Sequence, residues 1–336
     1  YAEAGHLVAW DQFALSSPGA RAEAPSNVGA TERGDRYVLS SDGLTVEIGG
    51  RSGLVESIVA DGVELLDGPM RPNFWRAPVD NDRGAQIPTK LAKWQGAGDS
   101  FKAERVSTEH RNGGDAVIVE GTLASIGQPL RFEYALSPEH GLRVAMSMPA
   151  AVEGTPKVLP RFGVHAQLIG ALRELEWFGP GPEETYWDRD TLPAGRYSSS
   201  VVDEYFAYSE PQETGNHVST RWLVLSGEGT SLAIWPDAEA CSVPGQPLSF
   251  SALPYSVDQL DRARHSYELE ADGSTHLSLD AAQTGVGGDN SWGARPHPEF
   301  TLRGDREHRL VFFMKPVAGA DALVALRAAG SSGGER

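Results

Sequence analysis

The chain is poor in cysteine, in positive charge, in long apolar runs and in helical pattern, and each shortage excludes something. Cys241 is the single cysteine among 336 residues. No internal disulfide can form and no cysteine-rich metal site can be built, so the composition fits a reducing compartment and makes cytoplasmic the expected location. Lys and Arg number 29 against 46 Asp and Glu, a net charge of −17. That field repels phosphate backbones and anionic lipid surfaces, which removes nucleic acid and membrane from the expected partners and leaves neutral ligands. No stretch approaches the roughly 20 apolar residues of a membrane-spanning helix, and the N-terminal YAEAGHLVAW has neither the basic nor the apolar segment of a secretion signal. The chain reads as soluble and signal-free. Alternation of strands with helices is missing too, which excludes a (β/α)₈ barrel of about 250 residues. So are a Walker loop, a dinucleotide fingerprint, an HExxH pair and a nucleophile elbow.

What is present is period-two alternation cut by glycine. The runs RYVLSSDGLTVEIG, LVESIVADGVELL, DAVIVEGTL, LRFEYALS, LRVAMSM, RFGVHAQL, RWLVLSG, TSLAIWP, HLSLDAA, EFTLRGD and HRLVFFMKP each read as strand. Ser41-Asp42-Gly43 and Asp61-Gly62 mark hairpin turns. Pro88–Gly98 and a segment capped by Ser256 read as short helices. The expectation is an all-β fold, a large antiparallel sandwich with few short helices. Tyr1–Leu15 reads as one extended strand, the tail of a preceding domain, since a lone strand is not stable. Ser16–Asp35 has linker composition, residues 36–328 form the main domain, and 329–336 read as a disordered tail.

Three stretches are dense in chemistry. RPNFWRAPVDNDRGAQIP, Arg71 to Pro88, sets Asp80, Asn81 and Asp82 before Gly84. Such oxygens suit calcium, but the spacing of a twelve-residue EF-hand loop is absent, and capping of local backbone donors in a surface loop is the plainer reading. WFGPGPEETYWDRD, Trp177 to Asp190, holds the adjacent acids Glu183 and Glu184. A glycosidase needs two carboxylates about 5 to 9 Å apart across one bond, whereas neighbours in extended chain face opposite ways; a connection pinned by Arg189 accounts for them. TGVGGDNSW, Thr284 to Trp292, admits two readings. It is either a hairpin whose indole folds back onto the sheet, or a glycine-built arm that carries Trp292 over a cleft where its face packs on the C–H surface of a sugar. His165, His217 and His297 lie on separate segments; a His pair with a carboxylate can run acid–base chemistry on a sugar hydroxyl, and a lone His is more often structural.

Taken in order, these stretches resemble the C-terminal part (small chain, domain 5) of bacterial β-galactosidases of glycoside hydrolase family 2. EAGHLVAWDQFAL is similar to the end of the immunoglobulin-like domain that precedes it, FWRAPVDNDRG to RAPLDNDIG, FGPGPEETYWDR to GLGPQENYPDR, and TGVGGDNSWG to MGIGGDDSWS; YSEPQETGNHVSTRWL and LPYSVDQLDRARH also have counterparts in order. The resemblance implies a supersandwich similar to galactose mutarotases. It implies that both catalytic glutamates, and the magnesium and sodium common in the family, belong to a barrel upstream, leaving this chain without catalytic residues or cofactor. Trp292 matches the family's aromatic residue at the aglycone or glucose subsite, and Gly84 the hinge of a loop at the active-site mouth, here shortened and carrying Pro88. Asp82, Asp289 and Asn290 are weaker site candidates, with no metal carried over to them. The implied partners are the rest of the β-galactosidase chain and a galactoside such as lactose, with homo-oligomerisation open to the parent.

Three functions are therefore carried forward: a module of a retaining β-galactosidase, inert alone; a free-standing aldose 1-epimerase-like enzyme, which needs a His and a Glu converging on one sugar; and a non-catalytic sugar-binding or assembly module, which would leave an exposed apolar patch.

Overall fold

The computed structural model describes residues 6, 9–13, 28–111, 113–237, 240–241, 247–290 and 292–322. A first sheet is a meander of β1 (Ala30–Arg33), β2 (Arg36–Ser41), β3 (Leu44–Gly49), β4 (Val55–Ala60) and β5 (Val63–Glu64). Its two tight turns place Asp42 and Gly43 at φ 45 and 79°, and Asp61 and Gly62 at φ 48 and 85°. Positive φ at both central residues is what a twisted two-residue hairpin demands, and Asp-Gly supplies it at least strain.

The remaining strands are β6 (Arg71–Asn73), β7 (Phe101–Arg111), β8 (Gly114–Leu123), β9 (Gln128–Ser137), β10 (Gly141–Met148), β11 (Arg161–Leu168), β12 (Glu174–Pro180), β13 (Ala194–Ser200), β14 (Asn216–His217), β15 (Trp222–Gly227), β16 (Thr230–Pro236), β17 (Ser249–Leu253), β18 (Thr275–Gln283) and β19 (His308–Pro316). Nine pair in the order β13-β12-β15-β16-β19-β10-β9-β8-β7, and five in the order β14-β17-β18-β11-β6. Every named strand pair, such as β10 with β19 and β11 with β18, is antiparallel. The fold is all-β. Its helices among the described residues are short: α1 (Asp80–Gly84), α2 (Ile87–Lys90), α3 (Val257–Arg262) and single 3-10 turns. None is long and apolar enough to cross a membrane.

One apolar cluster draws on all three sheets, from Val46 and Ile48 through Val117, Phe132, Leu142 and Phe312 to Phe162, Phe250, Leu277 and Leu279. Strand β18 shows how the sandwich is layered. Leu277, Leu279 and Ala281 join that cluster, while the alternate residues His276, Ser278 and Asp280 are polar and also buried. Loops cover the polar face of this sheet, with Ala77, Leu253, Leu260, Ala263 and Leu269 forming a second small cluster there. The loops in question carry the stretches singled out above.

Several local expectations change. EFTLRGD is not a strand; Pro298–Phe300 form a 3-10 turn and a single bridge joins Arg303 to Val158. Its first two residues, Glu299 and Phe300, are taken up by that turn. The helix expected over Pro88–Gly98 is split into α2 and a 3-10 turn at Ala92–Trp94, because Trp94 is drawn fully into the core against Phe74 and its indole N–H donates to the Val158 carbonyl at 3.0 Å. Asp80–Gly84, read as loop, is helical. The capped helix forms as expected: Ser256 Oγ accepts from the Gln259 backbone at 3.2 Å, and Gln259 Oε1 accepts from the Ser256 N–H at 2.9 Å. This reciprocal pair satisfies two otherwise orphaned donors.

At the N-terminal side, β1 lies inside the segment Ser16–Asp35 read as linker, because Asp115 accepts from the Ala30 N–H at 2.9 Å and pairs the segment to the sheet. Ala9–Phe13 of the strand expected in Tyr1–Leu15 are not in a strand. What holds them is the Gln12 side chain, which exchanges two hydrogen bonds with Ala194 at 2.9 and 2.8 Å. Residues 1–5, 7–8 and 14–15 of that strand, Ser16–Asn27 of the linker, and the tail 329–336 lie outside the described residues.

Candidate functional site

Three segments remote in sequence converge: the one after β6 with Arg76, Asp82 and Gly84, the one after β12 with Asp188, and the one after β18 with Thr284–Gly293. Buried Arg76 starts the construction. Its Nε and Nη2 donate to Asp82 Oδ2 and Oδ1 at 3.0 Å each. The same guanidinium donates to the Gly285 carbonyl at 3.0 Å, to Gln283 Oε1 at 3.3 Å and to the Thr284 carbonyl. A planar five-donor fork suits this arrangement, since it ties α1 and the start of the arm to one rigid group. Asp82 also accepts from the Val79 N–H at 3.2 Å.

Asp188 holds the next turn of the arm, accepting from the backbone N–H groups of Val286 at 2.9 Å and Gly287 at 2.7 Å. The glycines are what let the carboxylate approach: a Cβ on Gly285 would lie 2.4 Å from Asp188 Oδ2. Farther along, a Cβ on Gly84 would lie 2.8 Å from the Gly293 Cα, so the mouth segment and the end of the arm touch backbone to backbone. At the tip, Asn290 Oδ1 accepts from the N–H groups of Trp292 at 2.9 Å and Ala294 at 3.3 Å. Asp289 Oδ1 meets His297 Nε2 at 2.8 Å, and hydrogen bonding to that carboxylate raises the imidazole above its usual pKa.

The outcome for Trp292 is exposure: 89% of its surface is open. The indole does not fold back onto the sheet, although the Trp292 N–H is held by Asn290 and Gly293 rests on Gly84. Asp82, Asp289 and Asn290 all have structural partners, in Arg76, His297 and the local backbone. A cavity of 190 Å³ opens where the three segments meet, lined by Asp80, Asn81, Tyr186, Arg189, Glu213 and Val286 among others. A larger one of 440 Å³ lies between α1, α2 and the segment from Ala294 to Arg303.

Glu184 turns inward. It accepts from the Gly215 N–H at 2.8 Å and from Thr214 Oγ1 at 3.3 Å, and it bonds Arg189 and the Tyr208 hydroxyl. Glu183 is exposed. The two do not share one cleft, and Glu184 with Arg189 pins the connection as its sequence suggests.

Beneath the loops sits a charge cluster that sequence reasoning missed. Arg161, fully buried, pairs with Glu213 at 2.5 Å and with Asp280 at 3.2 Å, and Gln283 donates to Glu213 at 3.2 Å. Burial, with the Glu213 charge adding to it, pushes the Asp280 carboxyl up to about 7 against the pull of Arg161. No local pattern marks these residues; Arg161 and Asp280 meet because β11 and β18 are neighbours, and Glu213 comes from the loop before β14. Asp188 was visible in WDRD, and the glycines at 285 and 287 that accommodate it were its only signal.

The histidines do not assemble a sugar site. His217 bonds Glu204 at 2.6 Å, yet is fully buried against Trp177 and Phe250. His165 touches His276 at 3.3 Å, and burial, with that neighbour's charge adding to it, lowers it to about 3. Half-buried Cys241 is likewise inert, its thiol pushed up to about 11 by burial. Among the described residues there is no group of three or more His, Cys, Asp or Glu placed to hold a metal ion.

Residues 40–314 match the family model described as "Beta galactosidase small chain". The chain is 29% identical to a β-galactosidase of Priestia megaterium over 323 residues, covering 94% of this chain and 30% of that one. It is 31% identical to a β-galactosidase of Halalkalibacterium halodurans over 319 residues, covering 93% of this chain and 31% of that one. The chain thus spans about a third of the length of these curated relatives. Among solved structures, a galactose mutarotase related enzyme from Lactobacillus acidophilus covers 85% of this chain at a TM-score of 0.44 and 8% identity, with 99% of that chain covered. By its match over residues 40–314, the chain belongs to the β-galactosidase small chain family.

Proposed function

We propose that this chain is the C-terminal part of a retaining β-galactosidase of the glycoside hydrolase 2 type, acting on terminal β-galactose residues such as that of lactose. It supplies Trp292 to the aglycone or glucose subsite and the Gly84 segment to the mouth of the site. The observation that carries the reading is the 89% exposed indole of Trp292 at the end of an arm fixed by Arg76, Asp188 and Gly84. An exposed indole on a mobile loop would lose its ordering entropy on binding; one whose backbone is already fixed does not. The hydrophobic face of a pyranose is the chemistry such a ring suits, and a neutral sugar is compatible with the net charge of −17.

Bond cleavage in this reading belongs to polypeptide outside the chain. Glycoside hydrolysis requires an acid and a nucleophile held across one bond, and Glu183 and Glu184 do not meet that geometry. Magnesium and sodium belong with the catalytic part in the same way. Two measurements test the proposal. The purified chain should leave lactose intact, and cleavage by a preparation free of contaminating hydrolase overturns it. In the parent enzyme, Trp292→Ala should raise KM for lactose about tenfold or more and reduce transfer to acceptor sugars, with kcat for an activated aryl galactoside within about threefold of wild type. An unchanged KM and transfer ratio would remove Trp292 from the site.

A further inference from the structure

We infer that the 440 Å³ cavity beside α1 is a binding site for a small organic anion with an apolar, ring-sized body. Its volume falls within the range of small-molecule sites. The floor is apolar, built from Ile87, Leu91, Val158, Pro160 and Pro296. Its charge runs against the rest of the molecule. In a chain of 46 acids and 29 bases, this cavity is lined by Arg76, Lys90, Lys157, Arg295 and Arg303 and by one acid, Asp82. Asp82 is occupied by Arg76, and Arg303 pairs with Asp305. Lys90 donates to the Ala85 carbonyl at 2.6 Å, a contact that leaves its charge uncompensated. Lys90, Lys157 and Arg295 therefore bring three cations, with no carboxylate at ion-pair distance among the described residues, to the rim of one apolar hollow.

That combination selects a ligand class. Against the repulsion of the chain as a whole, the local field of these cations favours a negative group in the hollow, and the guanidinium of Arg295 can take a carboxylate, sulfonate or phosphate in a two-pronged grip. Association still costs translational freedom that a lone exposed ion pair does not offset. The apolar floor supplies the difference by burying the body of the ligand. Simple inorganic anions are accordingly poor ligands, and so are neutral aromatics. The inference does not rest on the sugar-site reading, although the cavity shares Arg76 with the arm that carries Trp292, because its test reads anion binding and not galactoside hydrolysis.

The test is a fluorescence titration of the purified protein with 1-anilinonaphthalene-8-sulfonate, paired with N-phenyl-1-naphthylamine, which has the same rings and no charge. The expected result is one saturable site for the sulfonate, weakened about tenfold by Lys157→Glu with Arg295→Glu, weakened several-fold between about 20 and 300 mM salt, and at least about tenfold weaker for the uncharged amine. The exposed remote variant Arg51→Glu should leave it unchanged, and a far-ultraviolet circular dichroism spectrum like that of wild type shows that the double variant is folded. Equal binding of the uncharged amine, a Kd unmoved by the double charge reversal, or no saturable binding below about 1 mM overturns the inference. Should Lys157→Glu with Arg295→Glu fail to fold, Arg295→Gln with the salt dependence of the wild type decides the same question.

Discussion

Gly84 and Gly293 touch through their backbones: a methyl group on Gly293 would lie 2.3 Å from the Gly84 carbonyl carbon, and Gly293 has φ +97°. One residue belongs to the mouth segment and the other follows Trp292, so the contact is where the two sequence-derived site elements become one structure. Alanine at either position forces the segments apart. Gly84→Ala should cost about 1–3 kcal/mol of stability through overpacking, and Gly293→Ala more, because backbone strain at positive φ adds to the clash. Urea unfolding of the two variants checks the order; equal stability to wild type in both would mean that the contact is not made.

Trp292→Ala should leave stability within roughly 1 kcal/mol of wild type, since a side chain exposed on its own contributes little to the core. A large fall in melting temperature would mean that the indole packs on the sheet in solution. The same variant can therefore separate a binding role from a packing role.

Asp188 is a positioning residue for the arm. Removing its carboxylate in Asp188→Ala leaves the Val286 and Gly287 N–H groups without their acceptor, at a cost of about 1–3 kcal/mol. If the proposed function holds, the change in the full-length enzyme should raise KM for lactose while sparing kcat for an activated substrate, as is expected of Trp292→Ala. A double variant should then show less than the sum of the two effects on KM, since both act on one element.

The Arg161–Glu213–Asp280 cluster makes stability depend on pH. Asp280 has a folded pKa near 7, above its ordinary 3.8, so between about pH 4 and 7 the folded protein holds a proton that the unfolded chain has released. The stability linked to this group is present below pH 4 and is lost as pH rises toward 7, on the order of 4 kcal/mol in full. Asp280→Asn should flatten that slope. Chemical denaturation at pH 5 and pH 8 measures it, and identical slopes in wild type and variant would refute the assignment.

His297, raised by Asp289, should titrate above the usual imidazole range in a ¹H–¹⁵N NMR experiment, and Asp289→Asn should bring it down. Because both groups are exposed, high salt should also reduce the shift.

How much of this was legible depended on the range of the interaction. The Asp42-Gly43 and Asp61-Gly62 hairpins and the Ser256 cap are decided within four residues, and the sequence states them outright. Strand β12 (Glu174–Pro180) is held by partners on both sides, β13 and β15, and the edge strand β7 (Phe101–Arg111) by β8 along its whole length, rather than by a pattern of their own. EFTLRGD has the alternation and is no strand, since its first two residues close a 3-10 turn and only Arg303 reaches a partner, Val158. Around the site, the motifs TGVGGDNSW, RAPVDNDRG and PEETYWDRD were recognisable singly, while their meeting was not.

Sequence by itself determined an all-β chain, acidic and nearly free of cysteine, with Trp292 on a glycine-rich segment, because alternation, composition and turn chemistry are local properties. Tertiary structure alone decided that Arg76 reaches Gly285, that Asp188 reaches Gly287, and that Gly84 rests on Gly293, leaving the indole outward and the cations of Lys90, Lys157 and Arg295 around one hollow. Those contacts join residues about a hundred to more than two hundred positions apart. Only the pairing of whole strands brings such distant groups within hydrogen-bond reach.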